Sequence, residues 1–209
     1  MTPHRLVYVL DDEAVVRASV VSLIQAHGGY ECREYRSGYA FIEALDTLQP
    51  GCVVLDLQLE GASGGAAMQA LSQRADRFRM IVVTGFGDVG VAIEAFRARA
   101  VDFLYKPHGM RPLLDALARG FHLLERGVEP PHLVAEAKAR IARLSDVEAE
   151  IFARLIAGET NQELAHTMDL DPRAVQILRA RALAALEAPS ILAAMRTAAI
   201  ASWPEAAAV

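Results

Sequence analysis

The sequence predicts a doubly wound α/β domain with a five-stranded parallel sheet, followed by an all-α helix-turn-helix domain. Three observations predict it. Residues 6–125 alternate short apolar runs with helix-like segments, the pattern of a parallel sheet covered by helices on both faces. Carboxylate, hydroxyl or ammonium side chains end four of those runs. After the Pro- and Gly-bearing stretch Arg126–Pro131, no strand-like run recurs in the 209-residue chain.

Taken in order, the first strand is read at about 6–10 and runs into Asp11-Asp12-Glu13. A helix at about 13–27 leads to a second strand at 31–35, and another at 38–48 leads to the third strand, 52–56, whose last residue is Asp56. A helix at 64–74 precedes the fourth strand, 79–83, which Thr84 ends. Asp88 is the expected N-cap of the next helix, 88–98. The fifth strand, 101–105, is followed by Lys106-Pro107, and Pro112 sits in the first turn of a helix at 110–125. Two prolines and a glycine within 126–131 read as a linker, with a helix resuming at about 133–143. Capping boxes at Ser145/Glu148 and Thr160/Glu163 each start a helix, and Gly158 closes the first. Asp171-Pro172 starts a third, about 172–187, with an apolar stripe at Val175, Leu178, Ala182 and Leu186. A last helix is expected at 190–201. Two short helices before a longer one suggest a helix-turn-helix. The expected divisions are 1–125, a linker with a helix at 126–143, and 144–209.

In an open α/β sheet, ligands bind at the carboxyl ends of the strands. The carboxylates gathered there, Asp11, Asp12 and Asp56, suit a hard cation such as Mg²⁺. Beside it, Lys106 and Thr84 would hold a phosphoryl group, and one carboxylate could itself be phosphorylated. The chain is 53% hydrophobic with net charge −5, and no apolar run reaches membrane-spanning length. The first residues lack the long apolar stretch of a signal peptide, so a cytoplasmic protein without a membrane partner is expected. Cys32 and Cys52 fall in strands and are expected as buried, reduced thiols.

The Asp11-Asp12 pair, Asp56, Thr84 and Lys106-Pro107, in this order and spacing, resemble the receiver domain of two-component response regulators. Gly51-Cys-Val-Val-Leu-Asp56 and Thr84-Gly-Phe-Gly-Asp88 look like its FixJ branch. Leu144–Glu148, Gly158, Asn161–Ala165 and Val175 resemble the LuxR-type domain of NarL/FixJ regulators. The resemblance implies that Asp56 is the phosphoacceptor. It implies that Asp12, Asp56 and the Gln58 backbone carbonyl bind Mg²⁺, with Asp11 acting closely or through water. Lys106 and Thr84 would contact the phosphoryl oxygens, and Phe103 would be the switch aromatic that moves with Thr84. The third C-terminal helix would enter the major groove, with Arg173, Gln176, Ile177, Arg179 and Arg181 as contacts, and the last helix would be a dimer element. Implied partners are a sensor histidine kinase, promoter DNA and a second copy of the chain on phosphorylation.

The sequence departs from the family pattern in several places. Leu59-Glu60-Gly61 lacks the usual proline, and Arg99 stands where a glycine usually ends the fourth helix. Ala174, Leu178, Gln162 and Ala180 replace usual Thr, His or basic residues of the output domain. Residues 127–209 hold 8 Lys and Arg against 11 Asp and Glu, which weakens the electrostatic attraction that dominates nucleic-acid affinity. The main expectation is a phosphorylation-controlled, DNA-binding transcription regulator, not an enzyme. The alternative is a regulator whose output domain acts through protein contacts. A phosphatase using Asp56 as nucleophile is a further alternative, but the haloacid-dehalogenase pattern has a second Asp two residues on as acid/base, where Gln58 stands.

Overall fold

Five parallel strands form one sheet in the computed structural model, which describes residues 5–85, 89–107 and 109–203. They are β1 (Arg5–Leu10), β2 (Tyr30–Tyr35), β3 (Gly51–Asp56), β4 (Phe78–Thr84) and β5 (Asp102–Tyr105). Their order is β2-β1-β3-β4-β5. The direction of winding reverses between β1 and β3, which opens a crevice at their carboxyl ends. Every expected strand is present, with no end shifted by more than one residue.

The two faces of the sheet are covered by helices that follow the strands. On one face lie α1 (Ala14–His27) and α5 (Met110–Arg126), which bury Val20, Val21, Ile24, Leu113, Leu117 and Phe121 against Val7, Val9, Val54 and Ile81. On the other lie α2 (Gly38–Ala44) and α3 (Ser63–Ser72), with Ala95 of α4 (Val89–Arg97). They cover Tyr8, Leu10, Val53, Leu55, Met80 and Val82. The alternation of side chains along each strand thus feeds two cores, which is why β1, β3 and β4 read as continuous apolar runs.

Two expectations need correction here. The helix expected at 38–48 stops at Ala44, because Leu45 and Leu48 bury from a turn and not from a longer helix. Cys32 is only half-buried: it lies on β2, the edge strand, whose residues alternate between covered and open, whereas Cys52 on central β3 is fully buried. Both thiols are free, and burial pushes Cys32 up to about 11. Asp88, the expected N-cap of α4, lies outside the described residues, as do Phe86 and Gly87.

The chain divides into two compact units, of which the first holds all five strands and ends at Glu129. The segment after α5 is tied down rather than free. Arg119 of α5, 7% exposed, grips Glu129 with hydrogen bonds of 2.9–3.1 Å from Nε and Nη2. The second unit is helical, and its main segment starts at Pro130. It comprises α6 (Pro131–Ile141), α7 (Asp146–Ile156), α8 (Asn161–Thr167), α9 (Pro172–Ala185) and α10 (Ile191–Ala201). The helix expected at 133–143 begins two residues earlier, since Pro131 takes the first helical position, where its missing N–H costs nothing. Both capping boxes form: Ser145 Oγ accepts from Glu148 N–H, and Thr160 Oγ1 from Glu163 N–H. Gly158 adopts φ 94° beyond α7, and Asp171 accepts from the Arg173 N–H ahead of α9. The last helix, α10, is buried along most of its length and packs on α6 within this unit, with Ala137, Ile200 and Ala201 in contact. Trp203 stacks on Phe152 at 5.5 Å between ring centroids. Among the described residues no helix is long and apolar enough to cross a membrane.

Arg99 closes α4 with φ 59°, a left-handed conformation that costs a non-glycine residue about 1–2 kcal/mol. Glycine removes that strain and gives back part of it as unfolded-chain entropy. Arg99→Gly is therefore expected to stabilise the first unit by about 0.5–1 kcal/mol. All five tyrosines lie in this unit and the single tryptophan in the other, so a urea transition followed by tyrosine signal checks the gain directly. An unchanged or lower midpoint would contradict it.

Candidate functional site

The parallel register builds the site. Leu10 pairs with Leu55, so the next residues, Asp11 and Asp56, stand side by side at the carboxyl edge. Thr84 ends β4 opposite Tyr105, and the Lys106 N–H donates to the Thr84 carbonyl at 2.8 Å, which sets Lys106 beside them. Carboxylate oxygens of Asp11, Asp12 and Asp56 all lie within 4.8 Å of one another. Asp11 and Asp56 are 3% and 4% exposed, Thr84 is buried, and Asp12 is half-buried.

Lys106 offsets part of the charge of this cluster. Its Nζ donates to Asp11 Oδ2 at 2.7 Å and to Asp56 Oδ2 at 2.5 Å. Burial alone would lower its pKa, but the hydrogen bonds to both carboxylates and their negative charges together outweigh burial and hold it above the ordinary lysine value. The remaining oxygens are also engaged. Asp56 Oδ1 accepts from the Gln58 N–H and Asp11 Oδ1 from the Glu13 N–H, each at 2.9 Å. Gln58 itself is exposed. Phe103 is half-buried on β5 and meets Tyr105 edge-on at 5.4 Å.

The cluster opens onto a depression of about 810 Å³ lined by Asp12, Glu13, Arg36, Tyr39, Glu60 and Gly61 among others. The segment lacking the family's proline forms a 3₁₀ turn, Glu60–Ala62, with Gly61 at φ 66°. The Tyr39 hydroxyl donates to the Gly61 carbonyl at 3.2 Å and the Ser63 hydroxyl to the Glu60 carbonyl at 2.8 Å, so side chains fix the turn where the family's proline would.

On α9, Val175 and Ala182 face inward, whereas Arg173, Gln176, Ile177 and Arg181 are exposed and Arg179 is half-buried. Ile177 is 55% exposed, unusual for a large apolar residue on a helix with a filled inner face. Arg181 lies near enough to Glu148 to contribute to its lowered pKa, behind the Ser145 hydrogen bonds that dominate it. Sequence reasoning missed Arg17, whose guanidinium reaches the Asp11 carbonyl, and Arg36 and Tyr39 at the rim. No motif marks them; they reach the site only through the pairing of β1 with β2 and the fold of the loops after them.

Three clustered carboxylates at one sheet edge are a donor set that suits a divalent cation. Mg²⁺ takes hard oxygen ligands, and carboxylates gathered this closely could converge on one ion by rotation of their side chains. Lys106 competes for the same charges. Lys106→Met is expected to tighten divalent binding about 5-fold, close to 1 kcal/mol, in a calorimetric titration. Without metal, the wild type should be the more stable. Because the folded pKa of Lys106 is raised, that advantage is complete below the unfolded lysine value of about 10.4 and falls as pH climbs through the folded one. Weaker divalent binding in the variant would contradict this account.

Comparison with known proteins agrees with the geometry. The response regulator receiver domain family matches residues 7–118, and the family of bacterial regulatory proteins, luxR family, matches residues 142–198. Transcriptional regulatory protein FixJ of Bradyrhizobium diazoefficiens is 31% identical over 191 residues, 91% of this chain and 93% of that protein. Transcriptional regulatory protein TdiR of Thauera aromatica is 31% identical over 86% of this chain and 79% of its own length. The crystal structure of full-length FixJ from B. japonicum superposes with a TM-score of 0.54 at 31% identity, covering 97% of this chain and 98% of that one. With an acidic receiver edge and a LuxR-type helical unit in one chain, the protein belongs to the FixJ-like response regulators, which are phosphorylation-controlled transcription regulators.

Proposed function

We propose that Asp56 is the phosphoacceptor through which this regulator is switched. The observation that carries the proposal is the buried Asp56 carboxylate, bridged by Lys106 to Asp11 at the end of β3. An Asp56 oxygen attacks phosphorus and forms the new P–O bond. The bond from phosphorus to the donor's leaving group breaks, and that group takes the electron pair. The donor is a sensor histidine kinase, whose phosphohistidine nitrogen leaves and is then protonated. Lys106 then turns to one of the added phosphoryl oxygens, and the Thr84 hydroxyl donates to another. Phe103 follows Thr84 inward, so the change at the edge becomes a change in the shape of β4 and β5. Asp11, Asp12, Asp56 and the Gln58 backbone carbonyl are the groups that would hold Mg²⁺. Bound there, the ion would offset repulsion between the carboxylates and the incoming phosphoryl oxygens.

On this reading the receiver spans 1–125, a linker with its helix spans 126–143, and the output domain spans 144–209. The protein works in the cytoplasm and turns over no substrate of its own. Phosphorylation shifts a pre-existing equilibrium and pairs two copies on promoter DNA. In the output domain, the exposed face of α9 supports DNA contact. Gln176 would read an adenine edge, Ile177 would meet a thymine methyl, Arg179 and Arg181 would reach phosphates, and Arg173 would touch base or phosphate. The net charge of −3 over residues 127–209 favours a second reading, in which this domain contacts protein instead.

Two experiments test the proposal. Wild type incubated with Mg²⁺ and a small phosphodonor should gain one phosphoryl group by mass spectrometry, and Asp56→Asn should gain none. Labelling of the variant at wild-type level would remove Asp56 from its role. In a randomised-duplex selection at low salt, phosphorylated wild type should enrich a two-fold site. There Arg179→Ala should weaken binding on every sequence, while Gln176→Ala should relax preference at one position per half-site, costing about 1–3 kcal/mol. Failure to enrich any duplex would turn the assignment to protein contact.

A further inference from the structure

We infer that Arg17 is a positioning residue for the acidic turn, holding the backbone that aims Asp12 at the divalent site. The inference rests on the reading of that site given above. Arg17 lies in the first turns of α1, with its side chain 15% exposed. Its Nη1 donates to the Asp11 carbonyl at 2.6 Å and lies 3.5 Å from the Asp12 carbonyl. Its Nε donates to Glu34 Oε2 on β2 at 3.1 Å. The guanidinium therefore bridges β2 to two consecutive carbonyls of the turn that follows β1. Its fork is suited to this, since it offers rigid donors in two directions at once.

The three carboxylates of the cluster differ in how they are held. Asp56 is fixed by the Gln58 N–H and Lys106, and Asp11 by the Glu13 N–H and Lys106. The Asp12 carboxylate takes no hydrogen bond or ion pair among the described residues. Its direction is set by its own backbone, and the side chain that grips that backbone is Arg17. Groups that orient a metal's ligands from behind typically govern affinity about 10–100-fold.

The sign of the effect separates positioning from plain electrostatics. Arg17 is a cation close to the site, so by charge alone its removal should tighten divalent binding. As a positioning residue, its removal should weaken it. A merely structural role would change the unfolding midpoint and leave the affinity of the folded protein alone.

The test is calorimetric titration of the metal-stripped full chain with Mg²⁺, with circular dichroism as the check on folding. Asp12→Ala is the control for the site itself: if it binds Mg²⁺ as wild type does, the site reading falls. With that control behaving, Arg17→Met is expected to bind about 10-fold more weakly. Arg17→Lys, which keeps the charge but reaches one partner at a time, should fall between, about 3-fold below wild type. At saturating Mg²⁺, phosphorylation of Asp56 in Arg17→Met should return to the wild-type rate. Unchanged or tighter binding in folded Arg17→Met overturns the inference while the site stands. Should that variant not fold, Arg17→Lys decides in its place, and wild-type affinity there overturns it.

Discussion

Two carboxylates side by side at a buried sheet edge need a cation between them, and this chain is built around that need. The pairing of Leu10 with Leu55 leaves Asp11 and Asp56 no other place to go. Unit charges within 4.8 Å repel by at least about 3.5 kcal/mol at an effective dielectric of 20. Desolvating both adds to that cost. Lys106 at 2.5 and 2.7 Å from them more than offsets the repulsion, because it is nearer to each carboxylate than they need be to one another. Its own placement depends on β5 pairing with β4 as far as the Thr84 carbonyl. The sheet and the ion triad therefore specify each other.

A site balanced in this way responds strongly to added charge. A phosphoryl group brings about two negative charges to a place where one ammonium already serves two carboxylates. On the proposed reading, Lys106 must then divide itself differently, and the Thr84 hydroxyl, buried at the same edge, turns to the phosphoryl group. Phe103 stands on the neighbouring strand, half-buried, packed against the core on one side and Tyr105 on the other. On that reading local electrostatics would bias the packing of β4 and β5, which is the form a switch takes.

Strands and site residues were legible for one reason: apolar runs buried on both faces end abruptly in charged residues. β1, β3 and β4 are of this kind, and Asp11, Asp56, Thr84 and Lys106 follow directly. β2 was less legible, since strand order decides which strand lies at the edge, and only the edge position explains why Cys32 is half open. The end of α2 was misread because Leu45 and Leu48 continue the helical spacing while burying from a turn. Arg17 and Glu34 were invisible as a pair, for their contact exists only once β1 and β2 are aligned. The same holds for Glu129, read as linker yet gripped by Arg119. The capping boxes at Ser145 and Thr160 were fully legible, because each closes within four residues.

The acidic balance of the helical unit fits a regulated reader better than it first suggests. A strongly basic domain binds any duplex through phosphate contacts, and no switch elsewhere in the chain would then matter much. Three arginines on α9 give a salt slope of about −2.7 per copy if all touch phosphate. Two copies on adjoining half-sites would double the slope and multiply the affinities, so pairing rather than charge would decide occupancy. On the proposed reading, a weak single domain is what lets phosphorylation of Asp56 control whether DNA is bound at all.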